Sequence, residues 1–169
     1  MGSMLTPARP RASVPRVEIR PAQPEDAPAI AALVNRAFQV EAFFTTKDRT
    51  SVAEIAAMFE RGSFLLAKQD AALVGCVFVQ PKGERGYFGL LSVDPVRQGS
   101  GIGGRLVDAA EEQCRRAGCR AIDIRVVNLR KELPPYYRGR GYQETGREPF
   151  PSGEPTKLPC EFVVMSKPL

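Results

Sequence analysis

Short apolar or alternating runs recur along the chain and predict the strands of a sheet. The first run alternates apolar and polar side chains over residues 17–20, which is the spacing of a half-buried strand. Turn signals at Gln69-Asp70 and Pro81–Gly86 separate three further apolar runs, which cover residues 63–68, 72–80 and 87–93. Connections this short predict an antiparallel meander.

Apolar residues return at helical spacing in other stretches of the chain. Residues 24–42 carry one apolar face and predict a first helix. Ser51 and Glu54 have the spacing of a capping box, which predicts a second helix through about residue 60. A third helix is predicted over residues 101–117. A short one over residues 131–138 contains two adjacent prolines, so we expect it to be broken or tight.

The second half of the chain predicts a change of strand direction. The strand at residues 87–93, the helix at 101–117 and an apolar run at 120–127 form a β–α–β unit, whose two strands should lie parallel. Two closing strands are predicted at residues 141–147 and 160–166. The elements together predict an α/β protein of the α+β kind, built on a single mixed, largely antiparallel sheet.

The N-terminal segment differs from the rest of the chain. Residues 1–15 hold three prolines and no periodicity, so we expect a disordered lead, and its first three residues are typical of an expression scar. Residues 16–169 are then expected to form one domain.

Composition excludes several kinds of site. Of the 169 residues, 43% are hydrophobic and 25% are charged, as in a globular domain with one core. No run of 18 apolar residues predicts a membrane span, and four cysteines without a Cys-x-x-Cys pair predict reduced thiols in a cytoplasmic protein. The chain has no histidine, which excludes Ser-His-Asp and Cys-His catalysis and histidine-ligated zinc. We expect no metal.

A glycine-rich loop is the densest chemical signal in the chain. Residues Gln98–Gly104 (QGSGIGG) lie between a predicted strand and a predicted helix. Glycines let the backbone approach a ligand closely, and the amides and dipole at a helix start attract anions. The loop therefore predicts a phosphate or pyrophosphate site, with a flexible turn as the structural alternative.

Two phosphate-binding patterns compete for this loop. Gly99-x-Gly101-x-x-Gly104 satisfies the dinucleotide fingerprint, and Asp123 follows about 20 residues later. That fingerprint normally follows the first strand of a parallel sheet, whereas several antiparallel strands precede it here. The Walker A pattern fails because no Gly-Lys-Ser/Thr follows.

The stretch Val93–Gly103 resembles motif A of the GNAT family of N-acetyltransferases, in which Gln98, Gly101 and Gly103 match the core Q/R-x-x-G-x-G/A. Tyr137–Tyr142 resembles that family's Tyr-x-x-x-Gly-Phe/Tyr signature. The order of predicted elements also matches, and the resemblance extends from about residue 17 to residue 169. The sequence departs from the family pattern in two ways. The spacing from Asn128, at the end of a predicted strand, to Tyr137 is longer than in many members, and the strand at 87–93 has no glutamate.

The resemblance implies a fold and a set of cofactor residues. The fold is that of acyl-CoA N-acyltransferases, with helices on both faces and acetyl-CoA between two parallel strands that splay apart. The implied catalytic groups are the backbone amide of Val93, for the oxyanion, and Tyr137, as general acid towards the leaving thiolate. The implied cofactor-binding residues are Leu91, Ser92, Val93, Gln98, Gly99, Ser100, Gly101, Ile102, Gly103, Gly104, Asn128, Tyr136 and Tyr137.

The sequence says less about the site that binds the acetyl acceptor. The resemblance implies a primary amine, on a small molecule or a peptide, and Phe43 and Phe44 as walls of its pocket, with a core role as the alternative. Asp123, Glu41 or a water chain could take the amine proton. A basic residue near the short helix (Arg130, Lys131, Arg138 or Arg140) could contact the CoA 3′-phosphate.

The rival interpretation is a non-catalytic module on the same fold that senses CoA or binds nucleic acid. The net charge of +5 favours it. Basic and aromatic residues are not interleaved as in RNA-binding modules, so nucleic acid is not expected. No membrane partner is expected either, and a homodimer is open because the family often forms dimers.

Overall fold

A seven-stranded mixed sheet forms the centre of the protein in the computed structural model, which describes residues 16–151 and 153–169. Its spatial order is β1-β2-β3-β4-β5-β7-β6, and only the β4–β5 pair is parallel. The predicted lead at residues 1–15 lies outside the described residues. The strands are β1 (Val17–Pro21), β2 (Ser63–Gln69), β3 (Ala72–Lys82), β4 (Arg85–Val93), β5 (Ala121–Val127), β6 (Gln143–Pro149) and β7 (Glu161–Pro168).

Helices cover both faces of the sheet, as predicted. The α-helices are α1 (Ala27–Ala37), α2 (Val52–Met58), α3 (Ile102–Arg116) and α4 (Leu133–Arg138), and short 3₁₀ turns occupy Pro24–Asp26, Phe38–Glu41 and Pro95–Arg97. Buried residues of α3, together with Tyr137 and Tyr142, pack on one face. Buried residues of α1 and α2 pack on the other. The fold class is therefore confirmed.

Strands β4 and β5 pair only at their beginnings. The parallel register runs from Arg85↔Ala121 to Tyr87↔Asp123, and beyond that point β5 continues only with β7. The two strands therefore separate towards their C-terminal ends, which opens a gap in the middle of the sheet.

A β-bulge shapes the open part of β4. Leu90 has a φ of 51°, and the register with β3 shifts between Cys76 and Phe78. The extra residue breaks the alternation of side chains: Phe88 packs on the face of α3, whereas Leu90, two residues later, packs on the face of α1. A non-glycine residue in the left-handed region is strained, and such strain concentrates at functional sites.

Several element boundaries differ from the sequence prediction for local reasons. The short helix begins at Leu133 rather than residue 131 because its two prolines fit only the first turn. Strand β6 begins at Gln143 rather than residue 141, since Gly141 has a φ of 99° and belongs to the preceding turn. Among the described residues, no helix has the length and apolar character needed to cross a bilayer.

Candidate active site

The open edge of β4 presents backbone groups rather than side chains. Ser92 is 1% exposed, and its hydroxyl donates to the Leu90 carbonyl at 2.9 Å. The Asp94 amide donates to Val74 of β3 at 2.8 Å. Since successive amides of a strand point to opposite edges, the Val93 amide points away from β3, into the gap beside β5. The predicted roles of Leu91, Ser92 and Val93 are backbone roles, and this geometry is compatible with them.

The glycine-rich loop lies directly after that edge. Gly99 and Gly101 have φ values of 83° and 84°, and a Cβ at either position would meet nothing within 4 Å. Gly101 is the N-cap of α3 and offers no side chain to the first amides of the helix, so those of Ile102 and Gly103 have no side-chain cap among the described residues. Backbone amides at a helix start with no acidic residue in its first turn form a positive site. Gln98 and Ser100 belong to the same loop, and the Ser100 hydroxyl donates to the Arg97 carbonyl.

Arg140 brings a cation to the same loop. Its Nη2 donates to the Gly104 carbonyl at 3.0 Å and also bonds Asp108. Its Nε is buried and has no partner among the described residues. A buried guanidinium N–H without an acceptor beside uncapped helix amides fits an anionic group such as the pyrophosphate of CoA.

Tyr137 lies on α4 against the core. It is 5% exposed and packs its ring against Phe88, Tyr136 and Tyr142. Burial raises the pKa of its hydroxyl, which forms no hydrogen bond with the described residues. The phenol is therefore fully protonated at neutral pH and is able to donate. The adjacent Tyr136 is half-exposed and carries the Arg140 guanidinium over its ring.

Asn128 sits where β5 ends. Its Oδ1 accepts the Glu161 amide at 2.9 Å, and its own amide donates to the Glu161 carbonyl at 2.9 Å. The side chain thus extends the β5–β7 pairing past the last strand residue. This contact holds the splayed end of β5 on β7 and leaves the Asn128 side-chain NH₂ for other partners.

The two predicted wall residues lie in different environments. Phe44 has no exposed surface, whereas Phe43 is 50% exposed, and their rings meet edge to face at 4.9 Å. Phe44 is thus a core residue beneath Phe43, and only Phe43 presents its ring to solvent. The Phe44 carbonyl accepts the Lys157 amide at 2.8 Å, and Thr45 bridges Thr156. These contacts join the α1–α2 segment to the β6–β7 loop.

Glu41 and Arg130 form an ion pair beside that junction. The Arg130 Nη1 lies 3.2 Å from the Glu41 Oε1, and the Glu41 residue is 5% exposed. Asp123 lies elsewhere, at the paired start of β5, where it accepts from Arg85 and from Ser166. The Arg85 guanidinium holds the pKa of Asp123 below its usual range. The structure thus separates two residues that the sequence ranked equally as proton acceptors.

Two of the solvent-open cavities in the described part of the chain are lined by residues discussed above. One, of about 350 Å³, is lined by the glycine-rich loop and by Val17 and Gln69. The other, of about 510 Å³, lies on the sheet face that α1 and α2 leave uncovered, and Arg85, Asp123 and Arg125 line it. No group of three or more cysteine, aspartate or glutamate side chains in the described ranges could hold a metal ion.

Comparison with known proteins identifies the family. A profile of the acetyltransferase (GNAT) family matches residues 28–142, more than half of the chain. An "IAA acetyltransferase" of Azospirillum brasilense is 30% identical over 108 residues, which cover 63% of this chain and 67% of the relative.

Solved structures share the fold at lower identity. The ribosomal-protein-S18-alanine N-acetyltransferase of Escherichia coli superposes with a TM-score of 0.74 at 17% identity, over 90% of this chain and 94% of the other. The structure of yncA from Salmonella typhimurium with its cofactor acetyl-CoA superposes with a TM-score of 0.71 at 17% identity, over 90% of this chain and 94% of that one. An IAA acetyltransferase of Bacillus cereus gives 0.71 at 18% identity, over 91% and 100%.

Proposed function

Because the chain belongs to the acetyltransferase (GNAT) family, we propose that it transfers the acetyl group of acetyl-CoA to a primary amine by direct attack. One observation carries this proposal. The β4–β5 gap lies beside uncapped amides of the glycine-rich loop, with the Val93 amide directed into the gap. This arrangement offers a backbone donor for a thioester oxygen and an anion site for a pyrophosphate, next to each other on one strand and the loop that follows it.

The residues of the loop would hold the cofactor. The amides of residues 98–104 and the unsatisfied Nε of Arg140 would take the phosphates. The open edge of β4 at residues 91–93 would bond the pantetheine amides, as one strand bonds another. Tyr136 and the side-chain NH₂ of Asn128, which forms no hydrogen bond with the described residues, would complete the site.

The reaction would proceed without a covalent enzyme intermediate. The neutral amine attacks the thioester carbon, and the Val93 amide stabilises the oxygen as it gains negative charge. The intermediate then expels the CoA thiolate, which takes a proton from Tyr137. A phenol whose pKa is raised by burial is a weaker acid than a free thiol, whose pKa is about 8.5. The transfer is therefore unfavourable by itself. It accompanies C–S cleavage, the collapse of the tetrahedral intermediate drives it, and Tyr137 then regains its proton from solvent.

The acceptor site would lie between the α1–α2 segment and the β6–β7 loop. Phe43 gives the acceptor site an exposed aromatic surface. The relatives carry names with different acceptors, including a ribosomal-protein alanine and IAA, so the fold accepts several classes of substrate. A small-molecule or peptide amine fits this proposal.

Four free cysteines accord with the reducing conditions of a cytoplasm.

A ligand-binding experiment followed by a turnover assay tests the proposal. We expect acetyl-CoA and CoA, but not NAD, to raise the melting temperature. A ligand at 100 times its Kd raises the free energy of unfolding by about 2.7 kcal/mol. The protein should then release CoA thiol when given primary amines. Stabilisation by NAD alone would refute the cofactor assignment. Stabilisation by CoA without thiol release from any amine class would favour a non-catalytic CoA sensor.

A further inference from the structure

A buried carboxylate and a partly buried guanidinium form a pair just after the end of β5. Glu41 comes from the 3₁₀ turn after α1, and Arg130 comes from the segment after β5, two residues beyond Asn128. The guanidinium binds one oxygen of Glu41 through Nη1 at 3.2 Å, and its Nε binds Glu132 at 2.6 Å. Arg130 is therefore held from two sides and fixes the position of the Glu41 carboxylate.

The second oxygen of Glu41 is unused. Its Oε2 forms no hydrogen bond with the described residues, although the residue is 5% exposed. A half-satisfied buried carboxylate is costly, so such a group normally has a partner. Because the free oxygen retains a small opening to solvent, a cationic N–H donor from outside the protein could supply it.

Several charged and titratable groups act on Glu41. Arg130 and Arg49 attract the carboxylate, Glu132 repels it, and Cys160, at the end of the β6–β7 loop, lies close enough for the charge of Glu41 to act on its thiol. Burial outweighs the two arginines and raises the pKa of Glu41. A carboxylate with its pKa moved towards neutrality is better suited to accept a proton than an ordinary one.

Arg130 connects this carboxylate to the proposed general acid. Burial raises the pKa of both Glu41 and Tyr137, and the charge of Arg130 opposes that rise in both, so the guanidinium lies within electrostatic range of both groups. Glu41 and Tyr137 thus share Arg130 as an electrostatic neighbour, and Arg130 follows the end of β5. Asp123 has no such relation to Tyr137, since its carboxylate is occupied by Arg85 and Ser166 at the paired end.

We propose that Glu41 receives the acceptor: its free carboxylate oxygen binds the substrate ammonium and accepts the proton that the amine loses before it attacks, while Arg130 acts as a positioning residue. This inference rests on the proposed function. In the step, an N–H bond of R–NH₃⁺ breaks and an O–H bond forms on Glu41, which leaves a neutral amine. After attack the nitrogen loses a second proton to solvent, the thiolate gains one from Tyr137, and Glu41 returns its proton to water.

The test compares Glu41→Gln with Asp123→Asn, a matched loss of one carboxylate on the same protein. Thiol release from acetyl-CoA is followed with 2-phenylethylamine, spermidine and an alanine tripeptide, across pH 6–10. For any amine that the wild type accepts, we expect Glu41→Gln to lower kcat/KM by roughly 100-fold or more at pH 7. The deficit should shrink at high pH, where the free amine needs no proton acceptor. Asp123→Asn should stay within about threefold of wild type.

Two further measurements separate the possible failures. The acetyl-CoA thermal shift of Glu41→Gln should equal that of wild type, and Glu41→Asp should recover part of the rate, which a misfolded variant would not show. If Glu41→Gln retains wild-type kcat/KM with an unchanged pH profile, the assignment of Glu41 is wrong and the proposed function stands. If wild type itself neither binds acetyl-CoA nor releases thiol, the proposed function is wrong, and this inference falls with it.

Discussion

Arg140 donates a hydrogen bond of 3.0 Å to the carbonyl oxygen of Gly104, which joins the turn after α4 to the first turn of α3. The guanidinium also lies over the ring of Tyr136. Contacts within the protein therefore set its position next to the glycine-rich loop, while its buried Nε has no acceptor in residues 16–151 and 153–169.

Replacing Arg140 should weaken cofactor binding. A charge-assisted hydrogen bond contributes roughly 1.5–3 kcal/mol, so we expect Arg140→Ala to raise the Kd for acetyl-CoA by about tenfold or more, measured by calorimetry. Arg116→Ala removes the same charge from the exposed far end of α3 and serves as control. Equal losses in both variants would mean that only net charge matters, and no loss in Arg140→Ala would remove it from the site.

Replacing the Tyr137 hydroxyl should affect chemistry more than folding. Since this hydroxyl has no partner in the described part of the chain, Tyr137→Phe should leave the melting temperature nearly unchanged and lower kcat by roughly 100-fold. Tyr142→Phe is the matched variant, because its hydroxyl donates to buried Glu111 at 3.1 Å. We expect it to lower the melting temperature with little effect on kcat. The reverse pattern would contradict the role of Tyr137.

The raised pKa of Tyr137 also predicts a pH dependence. A general acid must be protonated, and burial keeps this phenol protonated beyond the ordinary tyrosine range. With an amine already deprotonated, kcat should therefore show no decline up to about pH 10, the ordinary pKa of a tyrosine. A decline near pH 8–9 that Tyr137→Phe abolishes would show that the phenol ionises in the normal range or below it.

The sequence predicted the elements better than the geometry of the site. The meander and the β–α–β unit follow from run lengths and turn residues, and the structure confirms both. Leu90 could not be foreseen as a bulge, since nothing in the run YFGLLSV marks which residue takes a positive φ. That single residue determines which edge the Val93 amide faces.

The pairing of charged residues at the site could not be predicted from the sequence either. Glu41 and Arg130 are separated by 89 positions in the chain, and only the packing of the α1–α2 segment against the end of β5 makes them a pair. The sequence ranked Glu41 and Asp123 equally because residue type does not reveal their surroundings: burial raises the pKa of Glu41, whereas the hydrogen bond from Arg85 lowers that of Asp123.

Glu41 and Asp123 should affect stability with opposite pH trends. The folded state raises the pKa of Glu41 above 4.5, so its contribution to stability is full below pH 4.5 and is lost as pH rises through the folded pKa. The folded state lowers the pKa of Asp123 below 3.8. The contribution of Asp123 to stability is therefore full above pH 3.8 and is lost as pH falls through its pKa in the folded state.

Urea unfolding between pH 3 and pH 7 measures these trends. The stability difference between wild type and Glu41→Gln should shift in favour of the variant as pH rises above 4.5. The difference between wild type and Asp123→Asn should shift in favour of wild type as pH rises from 3 to 5. Parallel slopes for the two variants would contradict the opposite environments of the two carboxylates.

Two glycines of the loop should respond oppositely to alanine. Gly101 has a φ of 84°, and an L-residue in that region costs roughly 1–2 kcal/mol. Gly103 lies inside the first turn of α3 with ordinary helical geometry, and an added Cβ would lie 3.6 Å from Val93, an ordinary contact. Alanine there should stabilise the helix by about 0.5–1 kcal/mol.

Thermal unfolding checks this pair. At roughly 2–4 °C per kcal/mol for a domain of this size, Gly101→Ala should melt about 2–8 °C below wild type and Gly103→Ala a few degrees above it. Adding acetyl-CoA should then stabilise Gly103→Ala less than wild type, because the new methyl group stands among the amides proposed to hold the pyrophosphate. If Gly103→Ala gains stability and keeps the full acetyl-CoA shift, the ligand does not approach this turn of α3.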